Sequence, residues 1–188
     1  MRVLSGSAKG RKLKFPKLAA GVRLRPLMGR VKGALFNILA ARIEGARFLD
    51  LFAGTGSVGI EALSRGAKLA IFVEMDRKIA EVLRQNLELT GFTDRAEIYC
   101  LDVLKAIKVL DSAKGKFDII FIGAPYGSTE LAGSLRAIGD SGIVAEGGVV
   151  VAEHNRKSVI DDIYGSLSRY RDSRYGDTVL TFYSSKGK

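Results

Sequence analysis

Three carboxylates, Asp50, Glu74 and Asp102, each close or follow a short apolar run, and the first opens the glycine-rich stretch DLFAGTGSVG. Gly54 and Gly56 permit a tight turn in which the backbone approaches a ligand with no Cβ in the way. Such a turn alone also serves dinucleotide and phosphate sites. No Lys-Ser or Lys-Thr follows the glycines, so a P-loop is excluded. The Asp50 carboxylate would repel a pyrophosphate and suits a cationic or hydrogen-donating ligand instead. A carboxylate at the position of Glu74 can accept both hydroxyls of a ribose, and one at Asp102 can accept from an adenine amino group. Adenine, ribose and a cationic amino-acid tail without phosphate describe S-adenosylmethionine (SAM). Phe52, Met75 and Val103, beside these residues, complete the expected cofactor set. Each acid alone reads as a helix cap near a strand end. Three at successive strand ends point to the cofactor.

Those acids share one edge only if strands and helices alternate. RVKGALFNILAARI places Val31, Ala34, Leu35, Ile38 and Leu39 on one helical face. RFLDLF, KLAIFVE, RAEIYC, FDIIFI and GGVVVAEH read as five short strands. Between them, a helix runs through VGIEALSRG and stops at Gly66, and another lies between an Asp76 cap and Gly91. A further helix is expected over about 128–140, and SRYRDSRYG with DTVLTFYS predicts an antiparallel C-terminal strand pair. Alternation of this kind gives an α/β, Rossmann-like fold with a mostly parallel, doubly wound sheet, its first strand central. Ligands then bind at the carboxyl ends of the strands, near the switch point.

The charge is concentrated at one end. The 188 residues carry a formal net charge of +10, yet residues 1–47 hold twelve Lys and Arg against the single acid Glu44, and the remainder is nearly neutral. A folded basic segment of this kind follows a polyanionic backbone. The chain divides on this basis into a basic arm over 1–29, expected as a β-hairpin, and a catalytic domain over 30–188. No apolar run approaches the ~20 residues of a membrane span, and Met1 to Gly6 lacks the apolar stretch of a secretory signal. The lone Cys100 excludes an intrachain disulfide framework and fits a cytoplasmic location, with Cys100 itself a small packed residue. No cluster of His, Cys and Asp has metal-ligand spacing, so no metal is expected. His154, the only histidine, is expected to be structural, and RYRDSRY reads equally as an added nucleic-acid surface or as an exposed strand.

VRLRPLMGRVKGALFNIL, FLDLFAGTGSVGIEALSRGA, FVEMDRKIAEVLRQNL and RYGDTVLTFY make the chain similar to the bacterial RsmD-like 16S rRNA guanine-N2 methyltransferase family, over essentially its whole length. The resemblance implies a SAM-dependent methyltransferase fold and transfer to the exocyclic N2 of a guanine in 16S rRNA or the small ribosomal subunit; a monomer is expected, though the sequence itself is silent on oligomeric state. The charge of the basic arm places the expected RNA contacts at Lys9, Arg11, Lys12, Lys14 and Arg25. The family's catalytic loop after the fourth strand is Asp- or Asn-Pro-Pro-Tyr, where this chain has Gly123-Ala124-Pro125-Tyr126. An exocyclic amine is a poor nucleophile, because its lone pair is delocalised into the ring. Accepting its hydrogens favours the pyramidal nitrogen that can attack. Ala124 (through its carbonyl), Pro125 and Tyr126 (as a stacking platform) are the expected catalytic residues, while Gly123 leaves one acceptor missing. A second expectation is therefore a catalytically impaired relative that binds SAM and rRNA without methylating. A small-molecule methyltransferase has no use for the basic arm.

Overall fold

The computed structural model describes residues 1–16 and 27–185. Arg25 lies outside them. In chain order the elements are α1 (Gly29–Ile38), α2 (Ala40–Ile43), β1 (Arg47–Leu51), α3 (Ser57–Ser64), β2 (Leu69–Val73), α4 (Arg77–Thr90), β3 (Ala96–Tyr99), α5 (Val103–Ser112), β4 (Phe117–Ile122), α6 (Glu130–Asp140), β5 (Val144–Asn155), β6 (Ile163–Tyr164), β7 (Leu167–Tyr175) and β8 (Thr178–Ser185). They form one sheet of order β3-β2-β1-β4-β5-β8-β7-β6. The pairings are parallel from β3 to β5 and antiparallel from β5 to β6. β1 and β4 are therefore neighbours at the centre, and their carboxyl ends form the switch point.

Strand residues alternate between two apolar layers, as a sheet covered on both sides requires. Phe48, Phe72, Ile119 and Val151 pack with α1, α3 and α4, whereas Leu49, Ile71, Ile120 and Val150 pack with α5 and α6. Val31, Leu35 and Leu39 bury the expected face of α1, joined by Phe36 and Lys32. α4 is punctuated as expected: Asp76 accepts from the Lys78 and Ile79 amides, and Gly91 closes the helix in a left-handed conformation. α5 is absent from the expected set, although Val103, Ala106, Ile107 and Leu110 form its buried stripe.

The basic N-terminal segment is joined to the main core. An antiparallel bridge between Arg2 and Lys12, flanked by Val3 N–H to Arg11 C=O (3.0 Å) and Leu13 N–H to Met1 C=O (2.9 Å), folds it into a short hairpin. Val3, Ala8 and Leu13 are buried in the layer that holds α1 and α3. The Leu4 and Ser5 amides donate to the Glu61 carboxylate at 2.7 and 2.9 Å, and the Lys14 amide donates to Asn86 at 2.7 Å. Lys9, Arg11, Lys12 and Lys14 remain exposed on this pinned segment. No helix among the described residues is long and apolar enough to cross a membrane.

Candidate active site

The loops after β1, β2, β3 and β4 wall a cavity of about 370 Å³. Nine of the expected residues meet there: Phe52 and Gly54, Glu74 and Met75, Asp102 and Val103, and the loop residues Ala124, Pro125 and Tyr126. Asp50 and Gly56 are not in this lining. Gly56 begins α3 with φ +85°, and a Cβ there would stand 2.2 Å from Leu83 Cδ1. Its missing side chain serves the close approach of α3 to α4.

Asp50 sits behind the turn. Its side chain is buried, its Oδ2 accepts from the Gly59 amide at 2.8 Å, and it borders a smaller cavity of about 50 Å³ shared with Phe15, Phe52, Gly123 and Glu153. Burial pushes the Asp50 carboxyl up to about 8, opposed by the Gly59 hydrogen bond and reinforced by the charge of Glu74. Phe52 adopts φ +61°, a left-handed conformation that costs a bulky residue roughly 1–3 kcal/mol and persists only where its surroundings enforce it.

Glu74 cross-links the site. Its Oε2 accepts from the Gly54 amide and its Oε1 from the Asp76 amide, both at 2.9 Å. Burial raises its pKa, against the pull of those two amides. Asp102 is exposed and caps α5, accepting from the Leu104 and Lys105 amides at 3.0 and 3.2 Å, while also lining the cavity. The helix cap and the cavity wall are one residue here.

Five carboxylates, those of Glu74, Asp76, Asp102, Glu130 and Glu153, line the main cavity, with no Lys or Arg among its described lining residues. Phe52, Val73, Ile79 and Val103 supply apolar wall. A phosphate ligand would meet only like charge. A cationic ligand with hydroxyl and amino donors and an apolar body fits, which matches the chemistry of SAM.

Tyr126 is fixed from two strands. Its Oη donates to Glu153 Oε1 at 2.9 Å on β5 and lies 3.1 Å from Thr178 Oγ1 on β8. Tyr126 lines the main cavity on one side and a second cavity of about 210 Å³ on the other. Glu153 borders all three cavities. It is absent from the expected site, although its place at the carboxyl end of the last parallel strand marks it under the same rule that selects Asp50. His154 is buried, with Nε2 2.9 Å from Thr181 Oγ1 and Nδ1 2.9 Å from Asn155 C=O. Burial lowers its pKa, and both ring nitrogens are occupied in a structural role. Of the arginines in RYRDSRY, Arg169 pairs with Asp162 at 3.1 Å and with Asp172, and Arg171 lies over the Phe182 ring. Lys9, Arg11, Lys12 and Lys14 line none of the three cavities, but Phe15 of the same segment borders the smallest. Among the described residues no group of three or more His, Cys, Asp or Glu is placed to hold a metal.

A family model described as conserved hypothetical protein 95 matches residues 1–184. The chain belongs to this family. It is 38% identical over 187 residues to the Bacillus subtilis (strain 168) protein named "Putative rRNA methyltransferase YlbH", covering all of both chains. It is 30% identical over 188 residues to the ribosomal RNA small subunit methyltransferase D of Escherichia coli (strain K12), covering all of this chain and 91% of that protein. The solved structure named "Putative methyltransferase yhhF from Escherichia coli" superposes with a TM-score of 0.86 at 28% identity, over 100% of this chain and 99% of that one. The family resemblance and the methyltransferase fold read from the sequence are both borne out. The Gly123-Ala124-Pro125-Tyr126 loop, where this chain departs from the motif that the resemblance led one to expect, lines the same cavity as Glu74 and Asp102.

Proposed function

We propose that the protein transfers a methyl group from SAM to the exocyclic N2 of a guanine in 16S rRNA, as naked RNA or in the small ribosomal subunit. One observation carries this reading: Glu74 and Tyr126, from loops after different strands, line the same cavity. That puts an acceptor suited to a ribose beside an aromatic ring suited to a base. SAM, when bound, supplies a methyl group made electrophilic by its sulfonium. Glu74 accepts from the ribose hydroxyls, Asp102 from the adenine amine, and Phe52, Ile79 and Val103 exclude water around the nucleoside. Asp50 sets the turn by accepting the Gly59 amide behind it. Tyr126 stacks on the target guanine, which must leave its own stack to reach the site. The Ala124 carbonyl takes one hydrogen of the amine, with Pro125 limiting the loop's freedom. Lys9, Arg11, Lys12 and Lys14, with Arg25, follow the RNA backbone. Two relatives whose names give rRNA as substrate support the choice of RNA.

The test is transfer of labelled methyl from SAM to small ribosomal subunits that lack their own guanine-N2 marks. Incorporation at a single guanine is expected. No incorporation, with binding of S-adenosylhomocysteine demonstrated on the same preparation, overturns the methyltransferase reading in favour of a protein that binds without methylating.

A further inference from the structure

Gly123 removes a side-chain acceptor from the catalytic loop, yet the space beside it holds a carboxylate. A Cβ built on Gly123 would lie 3.9 Å from Glu153 Oε2. The other oxygen, Oε1, accepts from Tyr126 Oη at 2.9 Å. β4 and β5 are parallel neighbours, with Ile122 opposite Ala152, so Gly123 and Glu153 continue that register side by side. Glu153 also lines the main cavity together with Ala124, Pro125 and Tyr126.

We propose that Glu153 is a catalytic residue of this protein: its carboxylate, delivered from β5, accepts the hydrogen of the guanine amine that a side chain at position 123 would otherwise hold. The proposal rests on the guanine-N2 reading above and names the group that makes the Gly-Ala-Pro-Tyr loop competent. The small residue at 123 is then part of the arrangement, because it leaves room for the amine beside the Glu153 carboxylate. A side chain at 123 would also press on Phe121, whose Cε1 lies 3.1 Å from the same Cβ position.

In the transfer step the N2 lone pair forms the new nitrogen–carbon bond. The methyl carbon's bond to sulfur breaks with its electron pair leaving on sulfur, and the cationic nitrogen releases one proton through its hydrogen bond to Glu153 and on to water. Glu153 serves as the acceptor that aligns the lone pair and as the first station for that proton. Its hydrogen bond with Tyr126 fixes the carboxylate and the ring relative to each other, so acceptor and stacking platform move as one unit.

Four proteins test this: wild type, Glu153→Ala, Glu153→Gln and the double variant Gly123→Asp with Glu153→Ala. Removing one preorganised polar group from a transition state costs about a hundred- to thousandfold in rate, so Glu153→Ala should lose that much methyl transfer to the small subunit while still binding S-adenosylhomocysteine. Glu153→Gln retains an oxygen for Tyr126 and controls for folding; it should lose most of the rate, having no anionic acceptor for the amine. The double variant should recover at least tenfold over Glu153→Ala, because the carboxylate returns from the neighbouring strand. Full activity in Glu153→Gln, or no recovery in the double variant, overturns the proposal and leaves Glu153 as a support for Tyr126. An independent binding arm compares guanosine and inosine 5′-monophosphates, which differ by the N2 amine, by nuclear magnetic resonance titration. Wild type should prefer the guanosine nucleotide and Glu153→Ala should not. Absence of that preference in wild type counts against Glu153 directly, whereas preference without methyl transfer counts against the methyltransferase reading alone.

Discussion

The Lys32 ammonium stands 3.1 Å from the Glu61 carboxylate, with both side chains shut away from water. Lys32 rises from α1 and Glu61 from the middle of α3, and Arg65 approaches the same carboxylate at 2.9 Å. Glu61 also accepts the Leu4 and Ser5 amides, while Lys32 donates to the Arg2 carbonyl at 3.0 Å. Burial pulls the Lys32 pKa down and the Glu61 charge pulls it back up. This cluster fastens the basic segment to the cofactor-binding half of the fold.

Glu61→Gln leaves Lys32 as a buried cation without its anion. Breaking such a pair by removing one partner costs about 3–5 kcal/mol. The expected result is a matching fall in stability by urea titration, with hydrogen exchange at the Leu4 and Ser5 amides rising more than in α6. Equal loss of protection in both regions would show that the cluster does not fasten the segment in particular.

Lys9, Arg11 and Lys12 are exposed on that segment and take no part in the buried cluster. Replacing all three with Gln should weaken RNA binding and flatten its dependence on salt, by roughly 0.7–0.9 in log–log slope for each phosphate that is no longer neutralised. Fluorescence titration across a salt series measures this. A slope that stays unchanged moves the RNA path away from the segment.

Asp50 makes stability depend on pH in an unusual direction. Its carboxyl is raised from 3.8 to about 8 by burial, so between those values the native state keeps a proton that the unfolded chain has released. Stability from this group is therefore complete below the unfolded value and is lost as pH climbs toward the folded one, by at most about 1.4 kcal/mol per pH unit. Asp50→Asn is neutral throughout and keeps an acceptor for the Gly59 amide. Wild type should lose stability relative to this variant between pH 5 and about 8 and run parallel to it above. Parallel curves over the whole range would place the charge of Asp50 in a solvated setting instead.

Gly33 lies inside α1, and a Cβ there would meet only Leu4 Cδ1, at an ordinary 3.8 Å. Gly33→Ala should stabilise the protein by roughly 0.5–1 kcal/mol through helix propensity and a smaller unfolded-state entropy. Thermal unfolding checks the sign. A lower midpoint would show that α1 needs the glycine for packing.

The alternation of strand and helix was legible because each central strand is a short apolar run between glycine, acidic and basic punctuation. RFLDL and FDIIFI leave little choice. The strand-end positions of Asp50, Glu74 and Asp102 were legible from the rule that parallel sheets present ligands at strand carboxyl ends, and Glu74 and Asp102 line the main cavity. α5 was legible in principle, since Val103, Ala106, Ile107 and Leu110 fall at helical spacing with Lys105 and Lys108 on the exposed face, but its cap Asp102 was read for the ligand instead. Glu153 was hidden for a different reason. The strand-end rule covers it, but its approach to Gly123 and Tyr126 depends on β5 lying beside β4, a relationship between residues thirty apart that no local pattern encodes. That Gly56 stands against Leu83 was not legible, because a glycine in such a turn looks the same in sequence whatever it faces.

Tyr126 divides its work between a ring and a hydroxyl, and two substitutions separate them. The hydroxyl is tied to Glu153 at 2.9 Å and stands 3.1 Å from Thr178 Oγ1. Tyr126→Phe keeps the ring and removes the tether, an effect of about 1–1.5 kcal/mol, so methyl transfer should fall by roughly tenfold. Tyr126→Ala also removes the stacking surface, worth about 1–3 kcal/mol per base. Its kcat/KM should therefore lie a further five- to hundredfold or so below that of the Phe variant. S-adenosylhomocysteine affinity should change much less than methyl transfer in either variant, because the carboxylates expected to hold the nucleoside follow β2 and β3. Should the Phe and Ala variants prove equally slow, the ring contributes nothing, and Tyr126 acts only through the strand residues that its hydroxyl touches.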